Sequence, residues 1–170
     1  TSFGANMVAL NGGKPEQMNL SDMLRAFVYF REEVIQRRTR YLLKKARDRA
    51  HILVGLGIAV ANIDEVIKLI RAAPDPATAR AQLMERNWPA QDVEALIRLI
   101  DDPRHMVLED GTYKLSEEQA RAILDLRLQR LTAMGRDEIE EELNKIGAEI
   151  SDYLDILSSR ARIQEIVRNE

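Results

Sequence analysis

Between Arg136 and Glu170, apolar residues recur at Ile139, Leu143, Ile146, Ile150, Tyr153 and Leu157, in alternating steps of four and three. That 3.5-residue period is a heptad seam, and it predicts one long helix that needs a partner along its length. No Pro interrupts the stretch. At about 1.5 Å per residue the helix would run roughly 50 Å. A second seam lies near the start of the chain. Val28, Ile35 and Leu42, each with an apolar residue before it (Phe27, Val34, Tyr41), repeat every seven residues and continue through Ala46 toward Ile52, Leu53 and Leu56. It predicts a helix from about Leu20 to about Gly57, roughly 55 Å long.

The two helices are expected to pair antiparallel, with a small globular tip between them. Charge favours that direction. Arg31, Arg37, Arg38, Arg40, Lys44, Lys45, Arg47 and Arg49 crowd the first helix, against Glu32, Glu33 and Asp48. Asp137, Glu138, Glu140, Glu141, Glu142, Glu149, Asp152 and Asp155 crowd the return helix, against Lys145. An exposed ion pair contributes at most about 1 kcal/mol, whereas each buried seam residue contributes roughly 1.5–3 kcal/mol. Apolar burial therefore drives pairing, and charge selects direction and register. The expected register sets Lys45 near Glu140 and Val28 near Leu157. The basic run also suits contact with DNA phosphates; pairing with the return helix is the stronger reading.

Local signals divide the rest. Residues 1–18 read as a terminal strand and turn of an upstream domain, the turn at Asn11-Gly12-Gly13-Lys14-Pro15. Their strand partners are expected outside the chain. Asn19 is placed to cap the first helix, residues 19–57, with Asp22 in its first turn. Gly55 and Gly57 weaken its far end. Residues 58–131 form the tip. There Asn62-Ile63-Asp64-Glu65 suggests a capping box and a helix to Ala72. Asp75-Pro76 starts a second helix ending near Asn87, and Pro89 a third that buries Val93, Leu96, Ile97 and Ile100. Trp88 packs the tip. Asp110-Gly111 signals a hairpin between Met106 and Leu115. Ser116 to Gln119 is a capping box for a helix to Leu131, whose broad apolar face holds Ala120, Ile123, Leu124, Leu128 and Leu131. Leu126 and Arg130 point elsewhere. A helix apolar on two sides is expected to pack both inward and onto a second copy. The dimer-interface candidates are Ile123, Leu124, Leu126, Arg127 and Arg130. Gly135 breaks the chain before the return helix, residues 132–170. The fold class is thus mainly α: a long antiparallel two-helix coiled coil carrying a small helical tip with a short β-hairpin.

Composition narrows the chemistry. The chain has 170 residues, 31% of them charged, and a net charge of −3, so no general affinity for nucleic acid follows from the total. The absence of cysteine excludes disulfides, thiolate metal sites and cysteine nucleophiles. Two scattered histidines, His51 and His105, lack metal-ligand spacing. No phosphate-binding Gly-rich loop or serine elbow is present, and no apolar run is long enough to cross a membrane. No catalytic, cofactor-binding or metal-binding residue is assigned. A start at Thr1 within a strand-like pattern suggests a piece of a longer polypeptide.

Four motifs then carry a resemblance: RRT at 37–39, KARDRAHIL at 45–53, NIDEVI at 62–67 and QARAILDLRLQRLT at 119–132. With SFGANMVAL at the start, they resemble the DNA-breaking chains of bacterial type II DNA topoisomerases, the A chain of gyrase more closely than its counterpart in topoisomerase IV. The match covers nearly the whole chain and is weakest at 87–113. It implies the coiled-coil arm and dimerising tip of the exit gate in a cytoplasmic, ATP-dependent enzyme that supercoils DNA by double-strand passage. It further implies a homodimer through the tip, an A2B2 complex with a gyrase B subunit that carries the ATP site and the magnesium carboxylates, and DNA passing through the enclosed cavity. The DNA-breaking tyrosine lies upstream in that family, and none of Tyr29, Tyr41, Tyr113 or Tyr153 matches it, so this stretch alone is expected to be inactive. A non-catalytic coiled-coil adaptor is the alternative outside the family.

Overall fold

A computed structural model of the chain describes residues 4–100, 102–104, 107–126 and 133–170. The elements are β1 (Val8–Asn11), β2 (Lys14–Gln17), α1 (Leu20–Ala61), α2 (Ile63–Ala72), α3 (Pro76–Glu85), β3 (Asn87–Pro89), α4 (Glu94–Ile100), β4 (Thr112–Lys114), α5 (Glu117–Leu124), α6 (Ala133–Ser158) and α7 (Arg160–Asn169). The protein is mainly helical, and the 42-residue α1 fits a coiled-coil arm. Two compact units divide the chain: Thr1–Leu42 with Tyr153–Glu170, and Leu43–Asp152.

In the first unit, β1 and β2 form their own antiparallel hairpin, with Val8 opposite Gln17 and Asn11 opposite Lys14. The strand expected to stand alone within this stretch is therefore corrected: its partner is β2. Gly12 and Gly13 both take positive φ, 58° and 82°, the conformation that a tight two-residue turn demands and that glycine adopts without strain. Asn19 caps α1 by accepting from the Asp22 backbone N–H at 2.9 Å. The apolar core comprises Ile35, Ile156 and Ile163, with Ile166 and Val167 packed against it.

The return segment is not one helix. It stops at Ser158, and Ser159 restarts it as the cap of α7, accepting from the Arg162 N–H. The Ser158 hydroxyl donates back to the Asp155 carbonyl at 2.9 Å. Two adjacent serines offer the backbone local partners in place of helical ones, which is what ends the turn.

The α1 seam also differs from the apolar repeat. Between Leu20 and Leu43 its buried positions are Glu32, Ile35, Thr39 and Leu43, while Val28 is 40% exposed, Leu42 half-buried and Phe27 and Tyr41 exposed. Glu32, at the heptad position between Val28 and Ile35, accepts from Arg160 and from Gln164 at 2.9 Å. Hydrogen bonding by Gln164, and then by Arg160, holds its carboxyl below the usual glutamate range against the opposing effect of burial. Glu170 bridges Arg31 and Arg38. Val28 shares a groove with Arg160 and Gln164, so the expected register beside Leu157 is displaced toward α7.

In the second unit, α6 runs antiparallel to α1. Arg49 clasps Glu142 with two nitrogens, at 2.8 and 2.7 Å, and further along α1 a Cβ on Gly57 would stand 3.9 Å from Ile139. Leu143 and Ile150 are fully buried, Ile139 and Ile146 nearly so, and Tyr153 and Leu157, in the other unit, are half-buried. The expected Lys45–Glu140 neighbours are both exposed. Arg49–Glu142 is an ion pair that joins the basic and acidic runs. Gly55 and Gly57 do not end α1, which continues to Ala61. Gly55 instead admits α5: an added Cβ would lie 2.7 Å from the Gln119 side chain. Gly135 lies within α6 and does not break it.

Candidate functional site

The site is built on α2 and α5 of the second unit. Helix α2 follows α1 after one residue, Asn62. No capping box forms there. The Asn62 amide donates instead to the carbonyls of Ile58 and Pro89, at 2.9 and 3.1 Å, which ties the turn to β3. Helix α3 begins as its sequence demands, with Asp75 accepting from both the backbone N–H and the hydroxyl of Thr78. Those hydrogen bonds, the backbone one foremost, hold the Asp75 carboxyl below the usual range.

Pro89 ends β3 rather than starting a helix. A short 3-10 turn, Gln91–Val93, leads into α4. Trp88 packs the interior as expected, with its indole N–H donating to the Leu83 carbonyl at 2.9 Å and the Arg86 guanidinium 4.9 Å from the ring centre. At Asp110-Gly111 a turn closes as the Leu108 N–H donates to the Thr112 carbonyl at 2.8 Å. One bridge, Val107 to Tyr113, extends that hairpin. The longer partner of β4 is the distant β3, with Trp88 opposite Tyr113.

The capping box at Ser116 forms. Ser116 Oγ accepts from the Gln119 N–H, and Gln119 Oε1 accepts from the Ser116 N–H at 2.9 Å. Gln119 is fully buried and also donates to the His51 carbonyl at 2.7 Å and to the Tyr113 hydroxyl at 3.0 Å. His51 Nε2 lies 2.7 Å from Ser116 Oγ. Burial lowers the His51 pKa, helped by the nearby Arg104 cation, and burial raises that of Tyr113. Behind them Arg104 bridges the buried Asp102 and Asp48. This network fixes α5 against α1. Its serine and histidine are held as a cap and a core contact, so they serve structure.

Fixing α5 this way leaves an apolar groove. Ala59, Ile63, Val66, Ile67 and Ile70 line it with Ile123, Leu124 and Leu126, and Arg71 stands at its edge. At about 250 Å³ it is smaller than a typical small-molecule pocket. A protruding apolar side chain suits it better. Of the interface candidates, Ile123 is 4% exposed, while Leu124 and Leu126 are half-buried. Helix α5 ends at Leu124, and Leu126 lies beyond it with its N–H on the Ile123 carbonyl. A helix continuing unbroken to Leu131 is therefore corrected. Arg127, Leu128, Arg130 and Leu131 lie outside the described residues, as do His105 and Met106. The α2 half of the groove was legible as an apolar helix face but not as part of this site. Among the described residues, no cluster of three or more His, Cys, Asp or Glu could hold a metal ion, and no helix is long and apolar enough to cross a membrane.

Comparison with known proteins gives one consistent family. A family model that describes the gyrase A chain and its topoisomerase IV counterpart (DNA gyrase/topoisomerase IV) matches residues 1–170. The chain is 56% identical over 169 residues to the DNA gyrase A chain of Granulibacter bethesdensis, covering 99% of this chain and 18% of that one. It is 53% identical to that of Rickettsia bellii, over all of this chain and 19% of the relative. The identity to that of Salmonella typhimurium is 48%, over 99% of this chain and 20% of the relative. The chain thus spans about a fifth of the length of the curated relatives it matches.

Proposed function

The chain belongs to the DNA gyrase/topoisomerase IV family, on its A-chain side, and from that premise we propose that residues 1–170 supply the exit gate of a DNA gyrase. In this reading residues 19–57 and 132–170 are the two arms of a coiled coil, and residues 58–131 are a tip that mates with the tip of a second copy. Two tips close a cavity below the DNA, and their parting releases a duplex after strand passage. The observation that carries the reading is the α2–α5 groove, an apolar surface left half-exposed on the tip. A two-fold dimer would set the same groove of both copies face to face.

The chain's own residues bear mechanical load rather than chemistry. Tyr113 is 1% exposed and engaged by Gln119, which unfits it to attack a phosphodiester. The DNA-breaking tyrosine, the nucleotide site and the magnesium ligands would come from the rest of the gyrase A chain and from the gyrase B chain in a cytoplasmic A2B2 complex. ATP-driven supercoiling is then a property of that assembly.

Sedimentation tests the gate. The chain is expected to sediment as a dimer at micromolar concentration, and Leu126→Glu to weaken the dimer by at least a hundredfold, since it sets a charge in an apolar contact. Leu126 lies outside the helices, so the variant should retain its helical circular dichroism. A folded Leu126→Glu that stays dimeric at the wild-type concentration would reject the α2–α5 groove as the interface. Self-association lost instead on substituting arm residues would favour a coiled-coil adaptor.

A further inference from the structure

His51 sits on α1 inside the second unit, 3% exposed, with its Nε2 2.7 Å from Ser116 Oγ. That oxygen also accepts from the Gln119 N–H as the cap of α5. A hydroxyl that accepts there keeps its one proton to donate to a neutral imidazole nitrogen. Cap and ring therefore satisfy each other only while Nε2 carries no proton. Proton uptake makes both ring nitrogens donors. The Ser116 proton then loses its acceptor, and a positive charge stands at the N-terminus of α5, the end at which a cation is disfavoured.

The groups around the ring oppose that charge on balance. Burial opposes it most strongly, and the Arg104 guanidinium opposes a second cation beside it, so the ring gives up its proton more readily than an ordinary histidine. Glu118 on α5, Asp102, and Asp48 on α1 favour the charged ring, but Arg104 already bridges both aspartates. Arg47 lies one turn earlier on α1, and Tyr113 on β4 meets the cap through Gln119.

We propose that His51 is an acid-sensitive latch, whose protonation frees the start of α5 from α1 and loosens the wall of the groove formed by Ile123 and Leu124. The ring binds its proton more weakly in the closed tip than in an opened one. The latch therefore holds fully above about pH 6.5, the ordinary histidine value, and weakens as pH falls below it. Acid then weakens the surface on which two copies would meet. That consequence rests on the exit-gate reading, whereas the latch itself does not.

The test is hydrogen exchange of the α5 amides, Glu117–Leu124, in the 170-residue chain. It is read at about pH 7.5 and about pH 5.5 and corrected for the intrinsic pH dependence of exchange; ordinary carboxylates stay ionised across that range. Wild-type protection should fall by about three- to tenfold, tenfold being the ceiling for one group over one pH unit. His51→Gln keeps a polar acceptor for Ser116 and does not titrate, so its protection should stay within about twofold between the two pH values. His105→Gln removes the chain's other histidine and should respond as wild type does. A wild type whose α5 protection ignores pH, a His51→Gln that responds as strongly as wild type, or a His105→Gln that loses the response would overturn the latch. The wild-type and His105→Gln readings need no change at His51, so they decide the matter even where His51→Gln does not fold. Leu126→Glu leaves the latch intact and should keep the pH response of α5, so failure of the dimer and failure of the latch are separable.

Discussion

Trp88→Ala is expected to destabilise the second unit by about 3–5 kcal/mol, the range for truncating a large buried aromatic side chain. The residue is fully buried. It stands opposite Tyr113 across the β3–β4 ladder and donates to the Leu83 carbonyl at the end of α3. Its removal empties the place where α3, β3 and β4 meet, and it leaves that carbonyl without its donor. The melting temperature should fall by roughly 10–20 °C. Trp88 is the chain's only tryptophan, so unfolding should be followed by circular dichroism. Comparisons belong at one protein concentration, because a dimer gains stability by mass action. Trp88→Phe keeps most of the bulk and loses the N–H, and should cost about 1–2 kcal/mol. Equal losses for the two variants would mean that the hydrogen bond, not the packing, holds the junction.

Gln119→Leu is expected to cost about 3 kcal/mol or more, although it exchanges a polar residue for an apolar one of similar size. Gln119 is fully buried, and its amide serves the Ser116 N–H, the His51 carbonyl and the Tyr113 hydroxyl. Leucine would leave all three without this partner in a dry interior, each at a cost of about 1–3 kcal/mol. Gly55 sharpens the effect. The closeness of the Gln119 side chain to its backbone leaves no room for a branched replacement to shift. Chemical denaturation monitored by helical signal measures the loss. A change within about 1 kcal/mol would show that the network contributes register rather than stability.

The long helices were legible because burial at a fixed period leaves its mark directly in residue order. The caps at Asn19, Asp75 and Ser116 were legible for the same local reason: donor and acceptor lie within three residues. What escaped was set by tertiary contact. Gly55 and Gly57 read as helix breakers, yet they are the points where Gln119 and Val93 approach α1. Glu32 fits the heptad spacing between Val28 and Ile35, but its charge argues against a seam position until Arg160 and Gln164 satisfy it from a distant segment. The pairing of β3 with β4 joins runs too short to show strand periodicity. The Ser158-Ser159 interruption was legible in principle, as a capping residue after a helical run, but the uninterrupted apolar spacing outweighed it. Within the candidate site, Ile123 and Leu124 stood out on the broad apolar face of one expected helix, and Leu126 as an apolar residue on another side of it. Their partners on α2 could be found only once the fold brought the two helices together.

The central claim is that the tip groove joins two copies, and a site-specific cross-link tests it most directly. The chain has no native cysteine, so a single Arg71→Cys at the edge of the groove can be probed with a short bismaleimide, alongside Lys14→Cys in the β1–β2 hairpin. The account predicts covalent dimers from Arg71→Cys and none from Lys14→Cys. Cross-linking at Lys14→Cys alone, or equally at both positions, would contradict it.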